Sequence, residues 1–348
     1  RLAKAGEFTR RAFENGKMDL SAAESVMQLI GAESSLEHAA AISGREGVLY
    51  RRIGEIRDRL VTLAGHLSAW VDFPDEDVPE VDENELLDGL QFAKNELSRL
   101  LSDFENGRIL REGIDTVIVG KPNVGKSTFM NLLCGSERSI VTDVAGTTRD
   151  IVEESVTVGG VKLRLSDTAG LHDTDDKVEK IGVNMARSRI ETASLILAVF
   201  DGSCPLDKDD LALISSLDGK KAVAIINKCD LESQINTNLV AENIPFVVSV
   251  SAKTGDGAEK IGKAVAERVG ADSIDPSAGI LTTERQRDCV LRAETAVTEG
   301  EAALTAGLTF DAVGVMLDEA IAALCELSGE RVSETIVDEV FSSFCVGK

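Results

Sequence analysis

Gly120-Lys-Pro-Asn-Val-Gly-Lys126-Ser127 sets two glycines, a lysine and a hydroxyl at the spacing G-x-x-x-x-G-K-[ST]. The chemistry that this spacing performs is phosphate capture. Backbone N–H groups along Asn123, Val124, Gly125, Lys126, Ser127 and Thr128 converge on the phosphates. The Lys126 ammonium reaches the β/γ oxygens, and the Ser127 hydroxyl ligates Mg²⁺. A glycine-rich turn that binds nothing is the plainer reading, and the flanks argue against it. Val117-Ile118-Val119 enters as a buried strand would, and Thr128 to Leu133 leaves as an amphipathic helix would.

Three more short motifs follow, each after a strand-like run. Asp167-Thr168-Ala169-Gly170 comes after Val161–Ser166, so Asp167 would hold Mg²⁺ through water and the Gly170 amide would meet a γ-phosphate. Asn227-Lys228-Cys229-Asp230 comes after Ala222–Ile226. A carboxylate such as Asp230 accepts from the N1–H and exocyclic amine of guanine, a donor pair that adenine lacks. A base that leaves such partners unpaired is strongly rejected. Ser251-Ala252-Lys253, after Phe246–Val250, supplies backbone to close over the guanine. Singly these motifs recur by chance; in this order they specify a GTP site.

The residue after the Gly170 motif bears on mechanism. Ras-like switches carry a Gln there to orient the attacking water, whereas this chain has Leu171. Another side chain must position that water, and a positive charge is wanted where an arginine finger would act. Asn123, inside the phosphate loop, has an oxygen suited to a monovalent cation. Glu179 lies nine residues past Gly170 in a polar stretch with Asp175 and Asp176. A turn-stabilising Asn and a solvated helix-face Glu are the plainer readings, and residue type alone leaves both open.

These loops need elements to hold them. From Ile114 to about Gly270 the pattern alternates strand, loop and helix, and Val156–Val158 and Val161–Leu165 flank Gly159-Gly160, a two-residue hairpin signal. The expected fold is an α/β P-loop domain, mostly parallel with one antiparallel edge strand, inserted into an α-helical bundle domain. Leu49, Ile53, Ile56, Leu60, Leu63, Leu67 and Trp70 form a heptad seam that Asp72-Phe-Pro74 stops. Leu86, Leu90, Ala93, Leu97, Leu100 and Phe104 form a second, with Asp75–Glu85 as a solvated connection. Residues 19–44 read as another single helix, Ser273–Gly279 as a linker, and 283–348 as helical again.

Of 348 residues, 43% are hydrophobic, sufficient for two domains with cores of their own. No run approaches the roughly 20 apolar residues of a membrane span. Six cysteines show no C-x-x-C pair, which fits reduced thiols in the cytoplasm. A net charge of −23 argues against this surface alone holding a nucleic acid. The chain begins at Arg1, without Met and in mid-pattern, so upstream sequence is expected.

The ends are the most specific part. The run from Arg1 through Glu7-Phe-Thr-Arg-Arg-Ala-Phe13 to Lys17-Met-Asp-Leu20, and the terminal Phe341-Ser-Ser-Phe-Cys345-Val-Gly-Lys348, resemble the MnmE (TrmE) family of tRNA-modification GTPases. Thr142-Asp-Val-Ala-Gly-Thr-Thr148-Arg-Asp150 resembles that family's first switch, and Asp72-Phe-Pro-Asp75 its helical-domain signature. The resemblance covers the whole chain. It divides it into 1–18, the last segment of a folate-binding and dimerising N-terminal domain otherwise absent; 19–112, helical; 113–270, the G domain; and 271–348, helical again.

What the resemblance implies is a K⁺-stimulated, Mg²⁺-dependent GTPase, homodimeric through its G domains. It would work with the FAD protein MnmG in a heterotetramer on the tRNA wobble uridine. Carbon 5 would receive an aminomethyl or carboxymethylaminomethyl group, using 5-formyl- or methylene-tetrahydrofolate. By motif position, Asn123, Thr142, Val144 and Thr147 would surround K⁺, with Asp143, Ala145 and Gly146 in the same nucleotide-binding switch. Ser127 and Thr148 would hold Mg²⁺, while Thr168 and Ala169 complete the second switch motif. Glu179 would orient the water, and K⁺ would supply the charge stabilisation that an arginine finger gives elsewhere. Lys17 and Lys348 match positions near the folate. Cys345 stays open between a nucleophile and a structural thiol. The alternatives are an Era/EngA-like ribosome-assembly GTPase and a dynamin-like mechanical GTPase. The first would want a G-x-x-G loop with basic flanks in 283–348, the second a basic or apolar membrane-binding tip.

Overall fold

A heptad seam needs a partner seam, and apolar runs without polar alternation need cover on both faces; the chain satisfies these demands separately. The computed structural model describes residues 1–72, 79–136, 154–165, 190–342 and 344. In chain order the first helices are α1 (Glu7–Glu14), α2 (Leu20–Gly31), α3 (Ser35–Arg45), α4 (Val48–Asp72), α5 (Glu83–Ser102) and α6 (Phe104–Glu112). Next come β1 (Ile114–Val119), α7 (Lys126–Ser136), β2 (Glu154–Val158), β3 (Val161–Leu165), β4 (Leu195–Asp201), α8 (Lys208–Ser216) and β5 (Ala222–Asn227). The rest are α9 (Thr237–Asn243), β6 (Val247–Ser249), α10 (Ala258–Val269), α11 (Glu284–Thr305), α12 (Phe310–Ser328) and α13 (Glu334–Ser342). Contacts divide the chain into two compact units, one of 1–32, 36–111 and 275–348, the other of 33–35 and 112–274.

The first unit is a helical bundle. α4 packs on α5 and α12, and α11 packs on α5 and α12, closing a ring of four. Its core takes the α4 seam from Leu49 to Leu67, the α5 seam from Leu86 to Leu100, and Val290, Ala293, Val297, Leu317, Ala320 and Leu324. Trp70 packs against it half-buried. The second seam is divided: α5 ends at Ser102, and its last member, Phe104, opens α6. The acidic stretch also ends earlier than its composition suggests. The Asp82 side chain accepts from the Asn84 N–H and caps α5, so Glu83–Glu85 form a helical first turn where acids suit the helix dipole.

Residues 19–44 are not one helix. The Asp19 carboxylate caps α2 by accepting from the Ala22 N–H at 3.0 Å, and at Ala32 the backbone turns extended (ψ 122°) before α3 begins. No proline or glycine cluster forces the break; it is set by Glu33, whose contacts lie in the second unit. Farther along, Glu24 on α2 receives two hydrogen bonds from Arg285 (2.7 and 2.9 Å) and one from Gln286 (2.7 Å). Arg285 also donates to the Glu326 and Leu327 carbonyls, so one buried network ties α2 to the start of α11 and the end of α12.

The second unit is a six-stranded sheet of order β2-β3-β1-β4-β5-β6. β2 runs antiparallel to β3, and every other pair is parallel. β5 is buried along its whole length and β4 up to its last residue, as expected of parallel strands covered on both faces. Gly159 and Gly160 turn the hairpin with φ of 60° and 79°, the pair of positive values that a type I′ turn requires. Glu33 fastens this hairpin: it pairs with Lys162 at 2.8 Å, and its carbonyl accepts from the Thr157 hydroxyl at 3.2 Å.

Candidate nucleotide site

Parallel pairing sends the carboxyl ends of β1, β4, β5 and β6 to one edge of the sheet, where ligands of open α/β sheets bind. The phosphate loop leaves β1 at Gly120 and enters α7 at Lys126. Asn123 takes a positive φ of 66°, uncommon for a non-glycine residue. Gly125 leaves no room for a side chain, because a Cβ there would lie 2.4 Å from Asn227 Nδ2. The N-terminus of an α-helix points its first N–H groups outward and carries partial positive charge, which suits an anion. The Lys126 Nζ donates to the carbonyls of Gly120 (2.9 Å) and Lys121 (2.7 Å). Burial pulls its pKa below the ordinary lysine range, so an incoming phosphate meets a partly desolvated ammonium.

Asn227 joins three motifs. Its Nδ2 donates to the Val124 carbonyl at 2.8 Å, and its Oδ1 accepts from the Ala252 N–H at 2.9 Å. The phosphate loop, the base loop and Ser251-Ala252-Lys253 thus meet on one buried amide. Asp230 stands exposed beside them. The Ser251 hydroxyl, with Lys253 and Lys228, holds its carboxyl below the usual carboxylate range against some desolvation. An ionised Asp230 is the acceptor that guanine requires. Ser251 is itself pinned, its N–H donating to the Asp256 carbonyl at 2.9 Å.

Two lysines are anchored in ways the motifs do not announce. Lys228, at φ 65°, places its Nζ 2.5 Å from Asp201 Oδ2. Lys121 pairs with Asp207 (2.6 Å) and Asp210 (2.8 Å). Burial works against its charge, but the two carboxylates prevail and push its pKa up to about 12. Asp201, Asp207 and Asp210 were missed in the sequence because long-range ion pairs leave no local spacing.

The described residues thus bring together Asn123, Val124, Gly125, Lys126, Ser127, Thr128, Asn227, Lys228, Asp230, Ser251, Ala252 and Lys253. Ser127 and Thr128 are exposed in the first turn of α7, and the Ser127 hydroxyl is a hard oxygen donor that suits Mg²⁺. Asn123 carries a side-chain amide at an exposed loop position. Lys17 belongs to the helical unit, exposed after α1, with its N–H bonded to the Ala12 carbonyl at 2.9 Å. Thr142, Asp143, Val144, Ala145, Gly146, Thr147, Thr148, Asp167, Thr168, Ala169, Gly170, Glu179, Cys345 and Lys348 lie outside the described residues. A cavity of about 160 Å³ lies instead in the helical unit, lined by Gln28, Glu37, Arg111 and Thr282 among others, and holds none of these residues. Among the described residues no helix is long and apolar enough to cross a membrane.

The G domain of the T. maritima FeoB iron transporter aligns with 44% of this chain and 98% of its own at 25% identity and a TM-score of 0.33. The family described as the MnmE helical domain matches residues 20–345. The tRNA modification GTPase MnmE of Heliobacterium modesticaldum is 42% identical over 359 residues, covering all of this chain and 77% of that protein. Those of Alkaliphilus oremlandii and Symbiobacterium thermophilum are 40% and 42% identical, each covering all of this chain and 76% of the relative. With identity of this order along its entire length, the chain belongs to the MnmE family of tRNA modification GTPases.

Proposed function

We propose that the chain binds GTP with Mg²⁺ at the carboxyl edge of its sheet, hydrolyses it, and spends the cycle on tRNA modification. The observation that carries this reading is the Asn227 junction, where one buried amide fixes the phosphate loop to the loops that face the base. The α7 amides and the Lys126 ammonium hold the phosphates, Ser127 would hold Mg²⁺, and Asp230 selects guanine. Mg²⁺ supplies charge neutralisation on the β- and γ-phosphates.

The finer reading follows the family. Leu171 has no group to align water, so Glu179 takes that role, and Asn123 with Thr142, Val144 and Thr147 holds K⁺. Two copies pair through their G domains. The chain acts with MnmG and a folate one-carbon unit on carbon 5 of the tRNA wobble uridine in the cytoplasm. The net charge of −23 supports a division of labour in which a basic partner carries most of the tRNA contact. Residues 1–18 are the last segment of the folate-binding domain, 19–112 and 271–348 the helical domain, and 113–270 the G domain.

The test of the GTP reading is Asp230→Asn. An amide cannot accept from both guanine donors, so GTP affinity falls by about tenfold or more, and xanthosine triphosphate gains. Unchanged GTP affinity in that variant overturns the guanine assignment. The tRNA reading is checked by supplying MnmG, folate and tRNA, and looking for a modified wobble uridine that disappears when this chain is omitted.

A further inference from the structure

The connection from the end of β4 to the start of α8, residues 201–210, contains none of the nucleotide motifs, yet it grips both loops that do. Its Asp207 and Asp210 hold Lys121 of the phosphate loop. Its Gly202 N–H donates to the Asn227 carbonyl at 2.8 Å. Asp201 engages both of its carboxylate oxygens. One oxygen accepts from the Ser203 N–H (2.9 Å) and hydroxyl (2.6 Å), which fixes its rotamer, while the other accepts from the Lys228 ammonium. The parallel register sets Asp201 directly opposite Asn227, one residue before that lysine.

Lys228 needs such an anchor. Its backbone sits at positive φ, a conformation that other contacts must impose. Its side chain carries four methylenes and only about a third of it is exposed. With the ammonium tied to Asp201, the methylene stem becomes a fixed apolar strip beside Asp230, suited to the face of a flat ring. Untied, the same stem samples many rotamers, and ordering it at the moment of binding costs affinity.

We propose that Asp201 is a positioning residue for the purine: it orders the Lys228 side chain so that the base is packed before Asp230 reads it. This rests on the GTP reading above. Asp201 touches no part of the nucleotide and acts through Lys228 alone. Its loss therefore weakens the binding of GTP and GDP and leaves turnover at saturating GTP unchanged.

The experiment is a double-mutant cycle on the whole chain, read by fluorescent GDP titration and by KM and kcat for GTP. Asp201→Asn raises Kd and KM about tenfold, the usual weight of one charge-assisted hydrogen bond, with kcat within about twofold. Lys228→Met weakens binding as well, and adding Asp201→Asn to it has no further effect. Ser203→Ala, which removes a bond to the other Asp201 oxygen, separates the ion pair from the turn and leaves Kd within about twofold. Additive losses in the double variant, a fall in kcat rather than affinity, or an equal loss in Ser203→Ala would each overturn the proposal. If the unmodified chain binds no guanine nucleotide, the GTP reading falls and this inference with it. If it binds and the cycle is additive, only the role of Asp201 falls.

Discussion

At the scale of single residues, two side chains carry opposite stability consequences. Asn227 is buried and bonded to Val124 and Ala252, both themselves buried. Asn227→Ala leaves a buried carbonyl and a buried N–H without partners, at about 1–3 kcal/mol each. Urea unfolding should therefore show a loss of about 2–6 kcal/mol; a loss under 1 kcal/mol would mean that the amide does not join the loops. Lys126 differs. A lysine whose pKa is depressed on folding is kept charged at a cost below its folded pKa, and that cost fades as pH rises through it. Burial of the charged Lys126 side chain therefore subtracts from stability below that pKa. Lys126→Met should lower kcat/KM for GTP by about 10²-fold or more while the nucleotide-free melting temperature holds or rises. A clear drop in melting temperature would show that the bonds to Gly120 and Lys121 outweigh burial. The placement of Lys126 and Ser127 at the start of α7 was legible in the sequence because the glycine spacing and the apolar flanks fix it. The Asn227 junction and the Asp201 anchor were not, since both depend on which strands lie side by side.

At the scale of elements, periodicity did most of the work. The α4 and α5 seams, the hairpin at Gly159-Gly160 and the parallel strands followed from apolar spacing of 3.5 and 2 residues or unbroken apolar runs. The break between α2 and α3 did not, because Ala32-Glu33-Ser34 carries no local breaker and the chain turns there to bring Glu33 to β2 and β3. Helical glycines give a check on packing at this scale. Gly65 on α4 is exposed with open space around its missing side chain, so Gly65→Ala should stabilise by about 0.5–1 kcal/mol through helix propensity. Gly262 on α10 has the same propensity argument but the reverse sign. A Cβ there would lie 2.7 Å from Gly159 Cα and 2.8 Å from Gly159 N, rigid backbone of the hairpin turn. Gly262→Ala should destabilise, and thermal melts of the two variants should move in opposite directions. A stabilised Gly262→Ala would show that α10 does not press on the turn.

At the scale of the molecule, the helical chain is interrupted by the α/β unit and resumes after it, with one exception. Residues 33–35 belong to the α/β unit although they lie some eighty residues upstream of it in the chain. Every described contact that assembles the nucleotide edge falls within 112–274, from the Asn227 junction to the two lysine anchors. Glu33 acts elsewhere, on β2 and β3 at the far side of the sheet order from β5. Nucleotide affinity and stability should therefore separate. A fragment of residues 112–274 should bind GDP within about threefold of the whole chain, well under the 1.4 kcal/mol that marks a tenfold change. It should also melt lower, because the Lys162 partner and the acceptor for the buried Thr157 hydroxyl are gone, a loss of about 1–2 kcal/mol. For a domain of this size that is roughly 2–8 °C. Glu33→Ala in the whole chain isolates the side-chain part of that effect. It should lower the melting temperature of the α/β unit by a smaller amount and leave GDP affinity alone. If the fragment instead loses affinity by tenfold or more, the nucleotide edge draws on the helical unit. If Glu33→Ala weakens GDP binding as much as it lowers the melt, the far edge of the sheet is coupled to the site rather than merely fastened by this segment.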